Sequence, residues 1–205
     1  MLKVKKFVNE LMTSNCYVIY EDGFDDCIVV DPASRDCLNE ISFFEEHKLK
    51  PSYIILTHEH TDHTWGCNTL IDKYNAKVVC CRSCSLRLEK EGRSYFLFYY
   101  NDTNYHYNVS RVDTLVDDIG FSMTFHNHIV NFVLTPGHSL GSMCFNVGQY
   151  LFTGDTLMKY EPNYDKKRCT KRMYMESLKL ATKIAKDNGS IVCPGHGEEF
   201  SFKEL

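Results

Sequence analysis

Seven consecutive residues, Thr57-His58-Glu59-His60-Thr61-Asp62-His63, carry three imidazoles and the Asp62 carboxylate at the end of a strand-like run, Tyr53-Ile54-Ile55-Leu56. Imidazole and carboxylate are ligands for divalent metals, and this many in one loop of a folded domain point to a metal site. His58 and His60 stand two apart, so a still-extended backbone directs both rings to one side. Asp62 and His63 follow where the chain would turn into a helix, and they can face a second ion.

Three more strand ends repeat the pattern: Thr135-Pro136-Gly137-His138-Ser139, Phe152-Thr153-Gly154-Asp155-Thr156 and Cys193-Pro194-Gly195-His196-Gly197. Glycine beside His138, Asp155 and His196 allows a tight turn that frees the ligand side chain to project from a sheet edge. His or Asp at four separate strand ends is what one functional edge of a sheet sandwich would show. Asp31-Pro32 ends another strand, and Asp31 by itself reads equally as a turn former or a helix cap.

The elements that must position these residues follow from the apolar periodicity. Three strands over 2–9, 16–20 and 27–30 form an opening meander. A helix over 35–48 places Leu38, Ile41 and Phe44 on the sheet and Pro51 stops it. The strand over 53–56 and the ligand loop lead into a helix over 64–74 with Leu70, Ile71 and Tyr74 inward, a strand over 77–80 and a short helix over 83–91. Over 92–111 the run Tyr95-Phe96-Leu97-Phe98-Tyr99-Tyr100 meets a turn-rich segment, predicting a lid-like insert, a loop or short helix that closes over a pocket or a partner subunit. The alternative is that its rings fill core. Strands over 122–125, 129–135, 143–147, 150–153 and 190–193 follow, with a helix over 172–186 presenting Met175, Leu178, Ile184 and Ala185. The whole chain, 1–205, is expected to be one domain.

Lys and Arg number 23 against 27 Asp and Glu, a net charge of −4, which argues against a general nucleic-acid binder. No signal-peptide-like or membrane-spanning apolar run is present, so a cytoplasmic protein without membrane contact is expected. Ten cysteines scattered without an export signal read as buried thiols of a reducing compartment, Cys81 and Cys84 of the single CxxC among them. His126 and His128, with no carboxylate or cysteine in their turn, read as hairpin residues, and His106 at most as a lid residue. The cations Lys166, Lys167, Arg168, Lys171 and Arg172 could bind a substrate carboxylate or phosphate, or could be a solvated helix start.

The set His58-x-His60-x-Asp62-His63, His138, Asp155 and His196, with Asp31 upstream, resembles the metallo-β-lactamase-fold superfamily over nearly the whole chain. The resemblance implies an α/β fold, a four-layer αββα sandwich with its metal site at one edge of the sheets. It implies one metal on His58, His60 and His138, a second on Asp62, His63 and His196, Asp155 bridging them, and Asp31 supporting from behind. Two ions about 3.5–4 Å apart can share a hydroxide and polarise the bond it attacks. Such a centre is about one unit positive and suits a small, anionic substrate. Zinc is the first expectation, with iron or manganese suited to the same ligands.

Within the superfamily, His63 stands where one large class of lactamases has arginine, and Asp155 where those enzymes carry cysteine or serine. The ligand loop, Thr-Pro-Gly-His-Ser, Gly-Asp-Thr-Leu and Thr13-Ser14-Asn15-Cys16-Tyr17 instead look like the glyoxalase II group, which hydrolyses thioesters such as hydroxyacylglutathione. Asp62 and Asp155 would then be the catalytic carboxylates, with Tyr160, Lys166 and Arg168 as substrate contacts. Two departures leave the substrate open. Only residues 198–205 follow His196, where that group carries a helical glutathione-binding domain, and Met158-Lys159-Tyr160-Glu161-Pro162-Asn163-Tyr164 replaces its glycine- and arginine-containing loop. A mononuclear iron persulfide dioxygenase of the same fold, using His58, His138 and Asp155, is the second reading. A non-catalytic metal-binding protein is the third. Either a monomer or a homodimer fits the sequence.

Overall fold

The computed structural model describes residues 1–117, 120–160 and 164–202, and the side chains of 98–100 are not among those described. Two six-stranded mixed sheets face each other. The first is β1 (Leu2–Val8), β2 (Asn15–Glu21), β3 (Asp26–Val30), β4 (Lys50–Ile55), β5 (Lys77–Cys81) and β6 (Thr114–Val116), side by side in chain order. β1 to β3 are antiparallel and β3 to β6 parallel. Parallel neighbours need crossovers, and the helices supply them: α1 (Leu38–His47), α2 (Thr61–Thr64), α3 (Cys67–Tyr74), α4 (Arg82–Ser85) and α5 (Leu88–Tyr100).

The second sheet holds β7 (Ser122–Phe125), β8 (His128–Leu134), β9 (Met143–Val147), β10 (Tyr150–Gly154), β11 (Ile191–Pro194) and β12 (Phe200–Ser201), with α6 (Lys171–Asp187) crossing between the parallel pair β10 and β11. The main core unites both sheets with Phe44 of α1 and Leu70 of α3, while a smaller core of Leu151, Val192, Ala181 and Ala185 lies under α6. Helices thus cover both outer faces, the αββα order expected. Among the described residues no helix is long and apolar enough to cross a membrane.

Several local readings are corrected. The helix expected over 35–48 begins at Leu38, because Cys37 takes a left-handed conformation (φ 47°). Glu40 and Phe44 are its buried residues, and Leu38 is 69% exposed. The helix expected over 64–74 is two helices. Gly66 separates them, and a Cβ there would sit 2.5 Å from both Cys37 Sγ and Ser34 O. The helix expected over 83–91 breaks after α4, and α5 runs on into the aromatic stretch. There Tyr95, Phe96 and Tyr107 are buried in the main core. On α6 the buried positions are Tyr174, Ser177, Ala181 and Ala185, and Met175 is exposed. The short edge strands β6 and β12 carried no readable pattern.

Candidate metal centre

The strand ends meet along one edge. The ligand loop leaves β4, with His60 in an extended conformation capping α2, so His58 and His60 face one way and α2 turns Asp62 and His63 alongside them. His58 Nε2 and His138 Nε2 each lie 3.0 Å from His60 Nδ1. Three ring nitrogens converging at hydrogen-bond distance cannot all be satisfied by protons shared among themselves, whereas a cation satisfies all three. A few ångströms away, His63 Nε2 and His196 Nε2 are 3.4 Å apart, and Asp62 Oδ2 is 3.7 and 3.5 Å from them. Each trio, His58/His60/His138 and Asp62/His63/His196, brings its ligand atoms within 4.8 Å of one another.

Asp155 lies between the trios. Its Oδ2 is 3.3 Å from His138 Nε2 and 3.6 Å from His196 Nε2, and its Oδ1 is 3.6 Å from His63 Nε2. That Oδ1 is buried with no hydrogen-bond partner, a costly state for a carboxylate unless a cation meets it. The turn admits no side chain at residue 195, since a Cβ at Gly195 would fall 2.1 Å from Asp155 Oδ1 and 2.8 Å from His63 Cε1. The donor set therefore fits divalent metal.

Asp31 supports both trios from behind. It is 2% exposed and accepts from Thr57 N–H (2.8 Å), Thr57 Oγ1 (2.6 Å) and His63 Nδ1 (3.0 Å). Because the Thr57 hydroxyl donates to Asp31, it must accept from His58 Nδ1, 3.1 Å away. One carboxylate thereby keeps the proton on Nδ1 of both His58 and His63 and turns each Nε2 toward the metal side. Together with His58 and His63 it forms a third ligand-type cluster, but its oxygens are already occupied by these bonds.

The charges respond accordingly. Burial, reinforced by neighbouring imidazoles, pushes His58 well below the usual histidine range and His60 down to about 4, so both are neutral ligands at pH 7. Burial pulls His63 the same way, but Asp155, Asp62 and Asp31 outweigh it and raise the imidazole to about 10. Burial likewise opposes ionisation of Asp62, and His63 and His196 overcome it and hold that carboxyl below its ordinary range. In the metal-free site a proton on His63 stands in for a cation. Metal uptake by its trio should then release about one proton near pH 7–8, vanishing above pH 10. Calorimetric titration in buffers of different ionisation enthalpy reads this, and heats independent of buffer would contradict it. The sign carries over to stability. What protonated His63 contributes to the metal-free protein is complete below about pH 6.5 and is lost as pH rises through about 10.

Residues far from the ligands in sequence hold the loops. Asn15 Nδ2 donates to the Pro194 and Gly197 carbonyls, Tyr17 Oη donates to Pro194 O, and Asn15 N–H donates to Gly195 O, which fixes the turn that carries His196. Ser14 Oγ donates to the Asp62 carbonyl. Sequence reasoning noted 13–17 only as a family likeness. The polar Asn15 opening an otherwise apolar strand was the available signal.

The expected substrate contacts separate. Tyr160 is 54% exposed at the rim, next to Gly197, and its hydroxyl is raised by burial and by the charge of Asp155. Lys166 lies over the Tyr164 ring, next to Asp165, whose N–H donates to the Gly137 and His138 carbonyls. Arg168 pairs with Asp165 (3.0 Å) and Glu91 (3.6 Å). Arg168→Ala should cost about 1 kcal/mol of stability, as partly exposed pairs do. KM should stay unchanged if these pairs are its whole role, and a large rise in KM would make it a substrate contact. Residues 161–163 lie outside those described. His126 and His128, read as hairpin residues with no carboxylate in their turn, sit at the β7–β8 hairpin and meet carboxylates of the facing sheet. His126 Nε2 is 2.5 Å from Asp26 Oδ1 and His128 Nε2 is 3.2 Å from Glu21 Oε1. All ten cysteines are buried and free.

Comparison with known proteins agrees with this geometry. An uncharacterized protein of Mycobacterium leprae (strain TN) is 28% identical, with 91% of this chain and 88% of that protein aligned. A hydroxyacylglutathione hydrolase of Klebsiella pneumoniae is 27% identical over 83% of this chain and 57% of its own length. Among solved structures, the B3 metallo-beta-lactamase BLEG-1 superposes with a TM-score of 0.85 at 23% identity, covering 98% of this chain and 95% of that one, a likeness of fold. Residues 10–196 match the metallo-beta-lactamase superfamily, and the chain belongs to that superfamily.

Proposed function

We propose that this protein is a two-metal hydrolase that cleaves a small thioester or related ester. The observation that carries the reading is the placement of Asp155 between two ligand trios, with a buried oxygen that no protein group satisfies. Two divalent ions, zinc first among them, would supply there a hydroxide at neutral pH and a Lewis acid for the carbonyl under attack. His58, His60 and His138 would hold one ion, Asp62, His63 and His196 the other, and Asp155 both. The hydrolase likeness at 27% identity supports thioester chemistry over other reactions of the superfamily.

The chain's own groups do the rest. Asp62, held ionised beside His63 and His196, accepts a hydrogen bond and orients the attacking water. Asp31 keeps the imidazole tautomers fixed through turnover. Tyr160 at the rim offers a phenol to the substrate's polar groups. No cysteine is placed to attack, since burial pushes thiols such as Cys193 well above their ordinary range. The test is a substrate panel at fixed metal loading that compares acyl thioesters, oxygen esters and a β-lactam. Thioester turnover far above the other two is expected. A β-lactam turned over best, or none at all, would overturn the reading.

A further inference from the structure

In the extended ligand loop, alternation sends His58 and His60 to the metal side and the residue between them the opposite way. Glu59 therefore points back into the protein, 2% exposed, beneath the segment that follows His138. Its Oε2 accepts from Ser139 Oγ at 2.9 Å. Ser139 Oγ lies 3.0 Å from Ser142 Oγ, which accepts from Ser139 N–H at 3.0 Å. The segment lies flush on the carboxylate, because a Cβ at Gly141 would fall 2.2 Å from Glu59 Oε2 and 2.6 Å from Cys84 N and Cα. On its other side Glu59 Oε1 is 3.8 Å from Arg87 Nε, at the start of α5.

These contacts join what the first trio needs joined. Glu59 is covalently between His58 and His60, and Ser139 is covalently next to His138. From this geometry we infer that Glu59 is a positioning residue that fixes the His138 loop against the His58–His60 loop and so sets the affinity of the first metal trio alone. Glu59 touches no residue of the second trio, whose His63 is held by Asp31, and Asp31 reaches the first trio only through Thr57 and His58. The acceptor on Glu59, not its charge, does the positioning. A glutamine keeps an oxygen for Ser139 and an alanine does not.

The inference rests on the two-metal reading, so wild type comes first. Metal-free protein is titrated with Zn²⁺ against a chromophoric chelator, and circular dichroism checks the fold of each variant. Glu59→Ala should weaken one of two ions by roughly 10–100-fold, the effect of removing a supporting partner. Glu59→Gln should leave both affinities unchanged. In a His196→Ala background, where only the first trio is intact, the Glu59→Ala loss should persist. In a His60→Ala background, Glu59→Ala should change nothing. Equal weakening of both ions, no weakening, or no rescue by glutamine would overturn the inference. If Glu59→Ala does not fold, Ser139→Ala replaces it and should weaken the same ion, and unchanged affinity there counts against the inference. A wild type that binds one ion would refute the two-metal reading. Glu59 would still be tested on that ion, by the alanine and glutamine variants.

Discussion

Asp155→Asn is expected to abolish turnover while the fold survives. The carboxylate stands between His138 on one side and His63 and His196 on the other, and its Oδ1 accepts no hydrogen bond from the protein. Asparagine is nearly isosteric, so packing against Gly195 is retained. What disappears is the charge that two cations would share. Loss of a merely supporting partner costs roughly 10–100-fold in metal affinity or activity, and loss of a ligand common to both ions should exceed that range. Two readouts separate this outcome from unfolding. Circular dichroism of the metal-free variant should show the wild-type fold, at a lower thermal transition because the His63 imidazolium loses one of its three carboxylates, and chelator competition should show both ions loosened. Retention of full activity by Asp155→Asn would remove the shared-carboxylate account.

Asp31→Ala should have the largest effect on stability. Asp31 is buried, and its own backbone is left-handed (φ 51°) at the end of β3. Its carboxylate accepts three bonds, and one partner, His63, is an imidazolium in the metal-free site. Removing one member of a buried charged pair costs about 3–5 kcal/mol, because the other charge is left without compensation. Urea denaturation of metal-free protein at pH 7 reads this cost, and a change below about 1 kcal/mol would place Asp31 among ordinary turn residues. Loaded with metal, the variant should loosen the ion held by Asp62, His63 and His196 most and the other ion less, because Asp31 meets His63 directly and His58 only through Thr57. Glu59→Ala should loosen only the ion held by His58, His60 and His138.

Much of the site was legible because its residue types are scarce in cores and sit beside turn-forming glycines. His58, His60, Asp62, His63, His138, Asp155 and His196 were all singled out from the chain alone, and the fold brings them to one edge. Less legible were contacts made across the sandwich. Glu59 looked like a spacer between two histidines. Only Ser139, eighty residues on, shows which way it works. Arg168 looked like a free cation in a basic run, and pairing with Asp165 and Glu91 occupies it. His126 and His128 lacked carboxylates in their own turn and met Asp26 and Glu21 from the other sheet.

The errors in helix boundaries share a cause. Periodicity marks which residues are apolar, and close backbone approaches decide where a helix starts and stops. The left-handed Cys37 shifted the start of α1, and the approach of Gly66 to Cys37 and Ser34 split α2 from α3. Neither has a local sequence pattern. The aromatic stretch after residue 92 was harder for the opposite reason, since its rings suit a lid and a core equally well. Tyr95, Phe96 and Tyr107 take the core.

The most direct test is the metal content per chain of protein purified without added metal, with thioester hydrolysis and oxygen uptake measured on the same preparation. The account predicts close to two divalent ions and thioester cleavage that falls in parallel as a chelator removes them. A single iron per chain, with oxygen consumed in the presence of a persulfide and no hydrolysis, would contradict it.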